Sequence, residues 1–246
     1  DVDVVGGEVK RDFDINPYSY ASNTSRVLDP NEYYVANFAP FNIFHELDNN
    51  YIDLHALDAR FQLELKYKPI RDLELSLLGA FKYMASTQEH NIKDDSNQAL
   101  AYRAMGNGII RDGNKYLYKD PSNPNKLPQT VLPYGGLYHK GDNRMSDYDL
   151  RATANYNHTF ADKHIVNLFG GMEIKSIERQ RNASEGVGLR YNAGMVPFYV
   201  YDYFKRAVEA GNTYYTIVPT NSRSVAFYSN ATYLSLIHIS EPTRQA

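Results

Sequence analysis

Chemistry needs particular side chains at particular spacings, and the 246-residue sequence offers few such sets. Its seven histidines, His45, His55, His90, His139, His158, His164 and His238, stand apart with no His-Glu-x-x-His or comparable spacing. Structural or solvated roles are expected for them, and no metal ligand is assigned. Asp94, Asp95 and Asp202 carry oxygens that calcium could use, but no patterned loop surrounds them, so helix capping or solvation is the expected role. Glu46 and Asp48 are the kind of paired acids that glycoside hydrolysis requires at a set separation, which sequence does not supply; acids that simply meet water are the ordinary case. Gly106-Asn107-Gly108 lacks the strand-turn-helix context of a phosphate loop and reads as a turn. The absence of cysteine removes disulfides, thiolate zinc sites and thiol nucleophiles together. Asn23, Asn157, Asn182 and Asn230 match glycosylation sequons, but Asn157 and Asn230 fall in expected strands, so the matches are taken as chance. No catalytic, cofactor-binding or metal residue is assigned, and no enzyme is expected.

One chemical feature remains. Tyr116, Tyr118, Tyr134 and Tyr138, with Phe198, Tyr199, Tyr201 and Tyr203, place aromatic rings in segments expected to be loops, where they could stack on sugars or dock a covering protein. The competing expectation is that they pack the loops against one another.

The elements that must carry these residues are strands. The chain has 22 Tyr, 11 Phe and no Trp, an inventory suited to strands and to positions where an apolar ring has a wet tip. A net charge of -3 and a pI near 6.2 leave no basic stripe for phosphates, so nucleic acid is not expected as a partner. Mean hydropathy is -0.54, and no run approaches the roughly 18 apolar residues of a membrane helix, so only a barrel could make this chain span a bilayer. The chain begins at Asp1 without a signal-like segment, and any export signal is expected to have been lost or to lie upstream.

Alternation is unbroken from Leu57 to Lys68: Leu57, Ala59, Phe61, Leu63, Leu65 and Tyr67 on one side, Asp58, Arg60, Gln62, Glu64 and Lys66 on the other. After a turn at Pro69–Asp72, a second run puts Leu73, Leu75, Leu77, Gly79, Phe81 and Tyr83 on one face, which makes an antiparallel hairpin. A second hairpin pairs the run Tyr148, Leu150, Ala152, Ala154 and Tyr156 with the run Val166, Leu168, Gly170, Met172 and Ile174, although Ile165 and Phe169 blur the second. A fifth strand with weaker contrast carries Val225, Phe227, Ala231 and Tyr233. The expected strands are 51–67, 73–86, 146–160, 164–179 and 223–233, and the expected long loops are 1–50, 87–145 and 180–222. Asp95 or Ser96 is expected to cap a helix through Asn97–Arg103, and Tyr201–Ala210 to form another.

Apolar/polar alternation alone also fits a soluble sheet with one wet face. Three features favour a membrane instead. The first run is as long as the roughly 9–11 residues a tilted membrane strand needs. Tyr67, Phe81, Tyr83, Tyr148, Phe160 and Tyr233 lie near the ends of the apolar faces, where headgroup-level rings belong. Asp58, Arg60, Glu64, Lys66 and Arg151 would be costly in a dry core but comfortable in a water-filled lumen. Tight turns also alternate with connections far longer than the roughly 15 residues usual in compact domains.

Asn16–Arg26, Ala39-Pro40-Phe41-Asn42-Ile43, Glu46–Tyr51, Ser96–Arg103 and Arg223–Tyr233 resemble the barrel region of SusC/RagA-type TonB-dependent outer-membrane transporters, over nearly all of the chain to Tyr233. The resemblance implies an all-β fold: part of a transmembrane antiparallel barrel of roughly 22 strands, with long extracellular loops containing short helices. It also implies an N-terminal plug, coupling to the TonB complex, a SusD-like surface lipoprotein over the mouth, and import of large nutrients such as oligosaccharides across the cell outer membrane. Residues 1–233 are then a fragment of that barrel, lacking plug, TonB box and most strands. Residues 234–246 resemble translated sequencing-adapter read-through and are set aside. A passive outer-membrane porin and a secreted soluble β-rich glycan-binding protein are the alternatives.

Overall fold

In the computed structural model, residues 3–5, 8–10, 29–161 and 163–235 are described. The Asn16–Arg26 block, most of loop 1–50 before Asp29, and residues 236–246 of the adapter-like tail lie outside them.

Five long strands dominate the described residues: β5 Asn50–Ile70, β6 Leu73–Ile92, β7 Gly136–Phe160, β8 His164–Arg190 and β10 Tyr215–Ser235. Short strands β1 Asp3–Val5 and β2 Glu8–Lys10 pair with each other, as do β3 Tyr34–Ala36 and β4 Ala39–Phe41. The large sheet has the order β10-β8-β7-β6-β5, and β9 Val196–Pro197 joins β8 off that path. Neighbouring long strands run antiparallel. As contacts advance along β5 from Asp58 to Glu64 they retreat along β6 from Lys82 to Ser76. Between β8 and β10 they pass likewise from His164–Tyr233 to Glu178–Arg223. The sheet is not closed among the described residues.

The strands overrun the expected limits. Residues 87–92, 136–145, 180–190 and 215–222, expected in loops, are strand. Alternation registers a difference in polarity between two faces, and here both faces are polar: Thr87 and Glu89 on one side of β6, Gln88 and His90 on the other. Four helices form among the described residues: α1 Ile43–Asn49, α2 Asn97–Ala101, α3 Gly108–Gly113 and α4 Tyr201–Glu209. Ser96 rather than Asp95 caps α2, its side chain accepting from the Ala99 amide at 3.2 Å. None is long and apolar enough to cross a membrane.

The chain divides into two compact units. One comprises 1–55, 87–142 and 182–217; its buried cores are Ile92, Ala99, Leu132, Leu137 and Val187, and Ala39, Ala101 and Tyr116. The other comprises 56–86, 143–181 and 218–246, and its described residues form strand sections and tight turns.

Candidate functional site

The second unit presents two chemically opposite faces. On one side Phe61 is 67%, Leu63 65% and Phe227 78% exposed, and Leu65, Leu75, Leu77, Leu150, Leu168, Ile174 and Val225 are exposed with them. Residues that alternate in a strand share a face, so these side chains form one continuous apolar surface. Phe81 and Tyr148 touch on it, with ring centroids 4.9 Å apart.

The opposite face is a lattice of charges. Lys82 pairs with Asp58 at 2.9 Å, Lys68 with Glu74 at 2.9 Å, Arg151 with Glu173 at 3.0 Å and Lys175 with Asp147 at 3.6 Å. Phe169, which blurs the alternation of β8, lies on this side and meets Tyr228 at 5.7 Å. The weak contrast of β10 has the same cause, since Tyr228 is an aromatic ring on the polar face. Gly171 makes room for it: a Cβ there would come within 2.6 Å of the ring. Glu64, Ser76, Arg151, Glu173, Phe169 and Tyr228 line a polar cleft of about 420 Å³.

In the first unit the long connections pack rather than trail. Arg103 donates to the carbonyls of Leu132 at 2.9 Å and Asp94 at 2.8 Å, and also to that of Gly135. The buried Asn97 donates from its side-chain amide to the carbonyls of Ala36, Ala39 and Pro40, while its backbone amide donates to Glu46 at 2.7 Å. α4 is tied down along its length. Lys205 pairs with Asp120 at 3.1 Å, Arg206 donates to the Tyr116 carbonyl at 2.7 Å, and the Tyr118 hydroxyl donates to Glu209 at 2.9 Å. The hydrogen bond from Lys205 holds the Asp120 carboxyl below its ordinary range, and that bond chiefly raises the Lys205 ammonium. The Tyr203 hydroxyl donates to Glu185, and burial, reinforced by that carboxylate, pushes the phenol well above its ordinary value. Tyr203→Phe removes a hydrogen bond to a charged acceptor, and is expected to cost about 1.5–3 kcal/mol of local stability. Hydrogen exchange of residues 182–214 should accelerate accordingly; unchanged protection would show that α4 is held by other contacts.

The eight loop aromatics separate into two sets. Tyr116 and Tyr118 are buried, Tyr203 is tied to Glu185, and the Tyr138 hydroxyl donates to Glu89 at 2.8 Å. These four hold the unit together, as the packing expectation had it. Tyr134, Phe198, Tyr199 and Tyr201 are exposed, and the first two meet edge to face at 5.3 Å.

The other residues weighed for chemistry fall into structural places. Glu46 is buried and accepts from Asn97 and Asn50, whereas Asp48 offers its backbone carbonyl to Lys93. Asp94 accepts from the Tyr191 amide at 3.0 Å, and Asp202 accepts from Gln129. Asn107 caps α3 through the Ile110 amide at 2.9 Å, so Gly106-Asn107-Gly108 opens a short helix. His158 meets Asp72 at 2.7 Å and His164 meets the Tyr233 hydroxyl at 2.6 Å. Sequence spacing did not bring His90 and His139 together, but their rings lie 5.8 Å apart, with Glu185 3.6 Å from His139. No group of three or more side chains among the described residues could hold a metal. Sequence reasoning also missed Arg103 and Asn97, because neither spacing nor periodicity marks a side chain that serves distant carbonyls.

Long antiparallel strands with one apolar and one ion-paired face form an extended antiparallel β-sheet, and solved structures share this fold. A chain of the RagAB peptide importer in its "closed-closed" state aligns with a TM-score of 0.54 and 14% identity, over 82% of this chain and 18% of that one. A chain from another structure of the RagAB peptide transporter gives 0.54 and 12%, over 80% and 18%. The likeness is one of fold, and the present chain spans less than a fifth of the length of those chains. No family model and no curated protein matches the sequence.

Proposed function

We propose that this chain is a stretch of the wall of an outer-membrane β-barrel nutrient transporter. The carrying observation is the exposed apolar face backed by an ion-paired one. An apolar surface of this extent is a liability in water but is what hydrocarbon requires. From Leu57 to Tyr67 the apolar side of β5, at about 3.3 Å per residue and a tilt near 40°, covers roughly 25 Å, the height of a barrel's lipid-facing band. Backbone groups within hydrocarbon must all be paired, so the edges of β5 and β10 meet further strands in the working protein.

A barrel of roughly 22 strands with plug, TonB coupling and a SusD-like lipoprotein over the mouth accords with the sequence resemblance, and the RagAB likeness is in keeping with it. In this reading the chain catalyses no reaction. It bounds a water-filled path, and its packed loops form part of the entrance. Oligosaccharides are the cargo that the resemblance favours; peptides are the second reading, favoured by the peptide importers among the structural neighbours.

Fractionation of cells expressing the whole gene product, followed by growth of a deletion strain, tests both levels. Recovery in the outer membrane, with growth lost on oligosaccharides and kept on peptides, supports the main reading; the reverse growth pattern supports the second. Growth that survives collapse of the proton-motive force would indicate a passive porin. A water-soluble product that binds glycans would overturn the membrane wall.

A further inference from the structure

The apolar face is not smooth. Phe61, Leu63, Phe81, Tyr148 and Leu150 surround Gly79 and leave a groove of about 510 Å³. Its floor is vacant because position 79 has no side chain: a Cβ built there meets no atom within 4 Å. The glycine conformation itself is ordinary, since Gly79 is not among the residues with positive φ. The groove is therefore a matter of volume, and any small side chain could have occupied it.

We propose that this groove is a binding slot for one acyl chain of a membrane lipid. The inference rests on the reading of this face as lipid-facing, and adds a specific occupant to it. The slot's exposed lining is mainly apolar, although Gln62, Asp149 and Ser176 also border it, so its occupant needs no hydrogen bonds. Its form also favours a thin, unbranched chain over a second copy of the protein. Protein surfaces associate within bilayers where rows of small residues let backbones approach closely. Here a single glycine is ringed by Phe61, Leu63, Phe81, Tyr148 and Leu150, which hold another backbone away but admit a methylene chain between them. Hydrocarbon is already dry, so retention comes from dispersion contacts with the walls and not from release of water.

The test is native mass spectrometry of the whole gene product extracted in mild detergent, comparing wild type with Gly79→Leu and Gly79→Ala. The wild type is expected to retain one more lipid than Gly79→Leu, whose side chain fills the slot and lowers occupancy about tenfold through lost wall contacts. Gly79→Ala should fall between the two. Heat-modifiable gel migration checks that each variant is folded. Equal lipid retention in wild type and both variants overturns the slot, and so does a wild-type dimer that Gly79→Leu dissociates. A wild-type product found in the water-soluble fraction sinks both the slot and the membrane reading, whereas a membrane-embedded protein without the extra lipid sinks only the slot.

Discussion

Replacing Leu63 and Leu65 together by arginine is expected to abolish membrane assembly. Both are more than half exposed on the apolar face of β5, flanking Glu64, which is ion-paired to Lys66 on the other face. Arginine near the midplane of a barrel's lipid face costs about 2–4 kcal/mol, so the pair carries roughly 4–8 kcal/mol, comparable with the whole stability of many domains. In a sheet that left this face in water the same change would relieve an exposed apolar patch and be close to neutral. The measurement is urea titration in lipid vesicles with heat-modifiable migration as readout. Gln62→Arg, on the charged side of the same strand, is the matched control, expected within about 0.5 kcal/mol of wild type because it would face water. A double variant that assembles like the control would remove the basis for a lipid-facing surface.

The second large effect is expected at a glycine seam in the other unit. A Cβ on Gly136 would lie 1.8 Å from the Ile92 carbonyl oxygen, and one on Gly188 would lie 2.1 Å from the Phe198 carbonyl oxygen at φ +69°. Gly135, at φ +76°, sits against Gly188 with similar closeness. Four backbone segments therefore pass where no side chain fits. Gly136→Val cannot be absorbed by a rotamer change, because its obstacle is main chain, and a cost of about 4 kcal/mol or more is expected. The loss should be local: rapid proteolysis of 93–135 and 191–214 while the strands of the other unit remain protected. Gly113→Ala, where a Cβ meets nothing, should leave cleavage unchanged. Equal cleavage of the two variants would mean that the seam can open.

What could be read from the sequence follows from what each signal measures. Between Leu57 and Lys68 alternation was legible because one face is apolar and the other charged. In β7 it failed from Gly136 to Met145, where Lys140 and Asp142 alternate with His139 and Asn143 and the two faces do not differ in polarity. Gly136, within the expected loop 87–145, starts a strand; its lack of a side chain serves close backbone approach. α2 was legible from its cap and α4 was expected over Tyr201–Ala210 although Val200 gives it no side-chain cap, whereas α3 was not legible, since its sequence begins and ends in glycine and depends on the Asn107 cap. The loop core was hidden for a different reason. Asn97 and Arg103 act on carbonyls far along the chain, and such partnerships exist only once the fold has formed.

The odd number of long strands limits how this sheet could ever be engineered into a minimal pore. β5 and β10, the outermost of five alternating strands, point the same way. Whole hairpins add strands two at a time, so grafting any number of them leaves an odd ring with one parallel seam between its first and last strands. A designer closing the ring with uniform antiparallel pairing would have to supply a lone strand somewhere, and that strand would bring one chain terminus to the opposite rim.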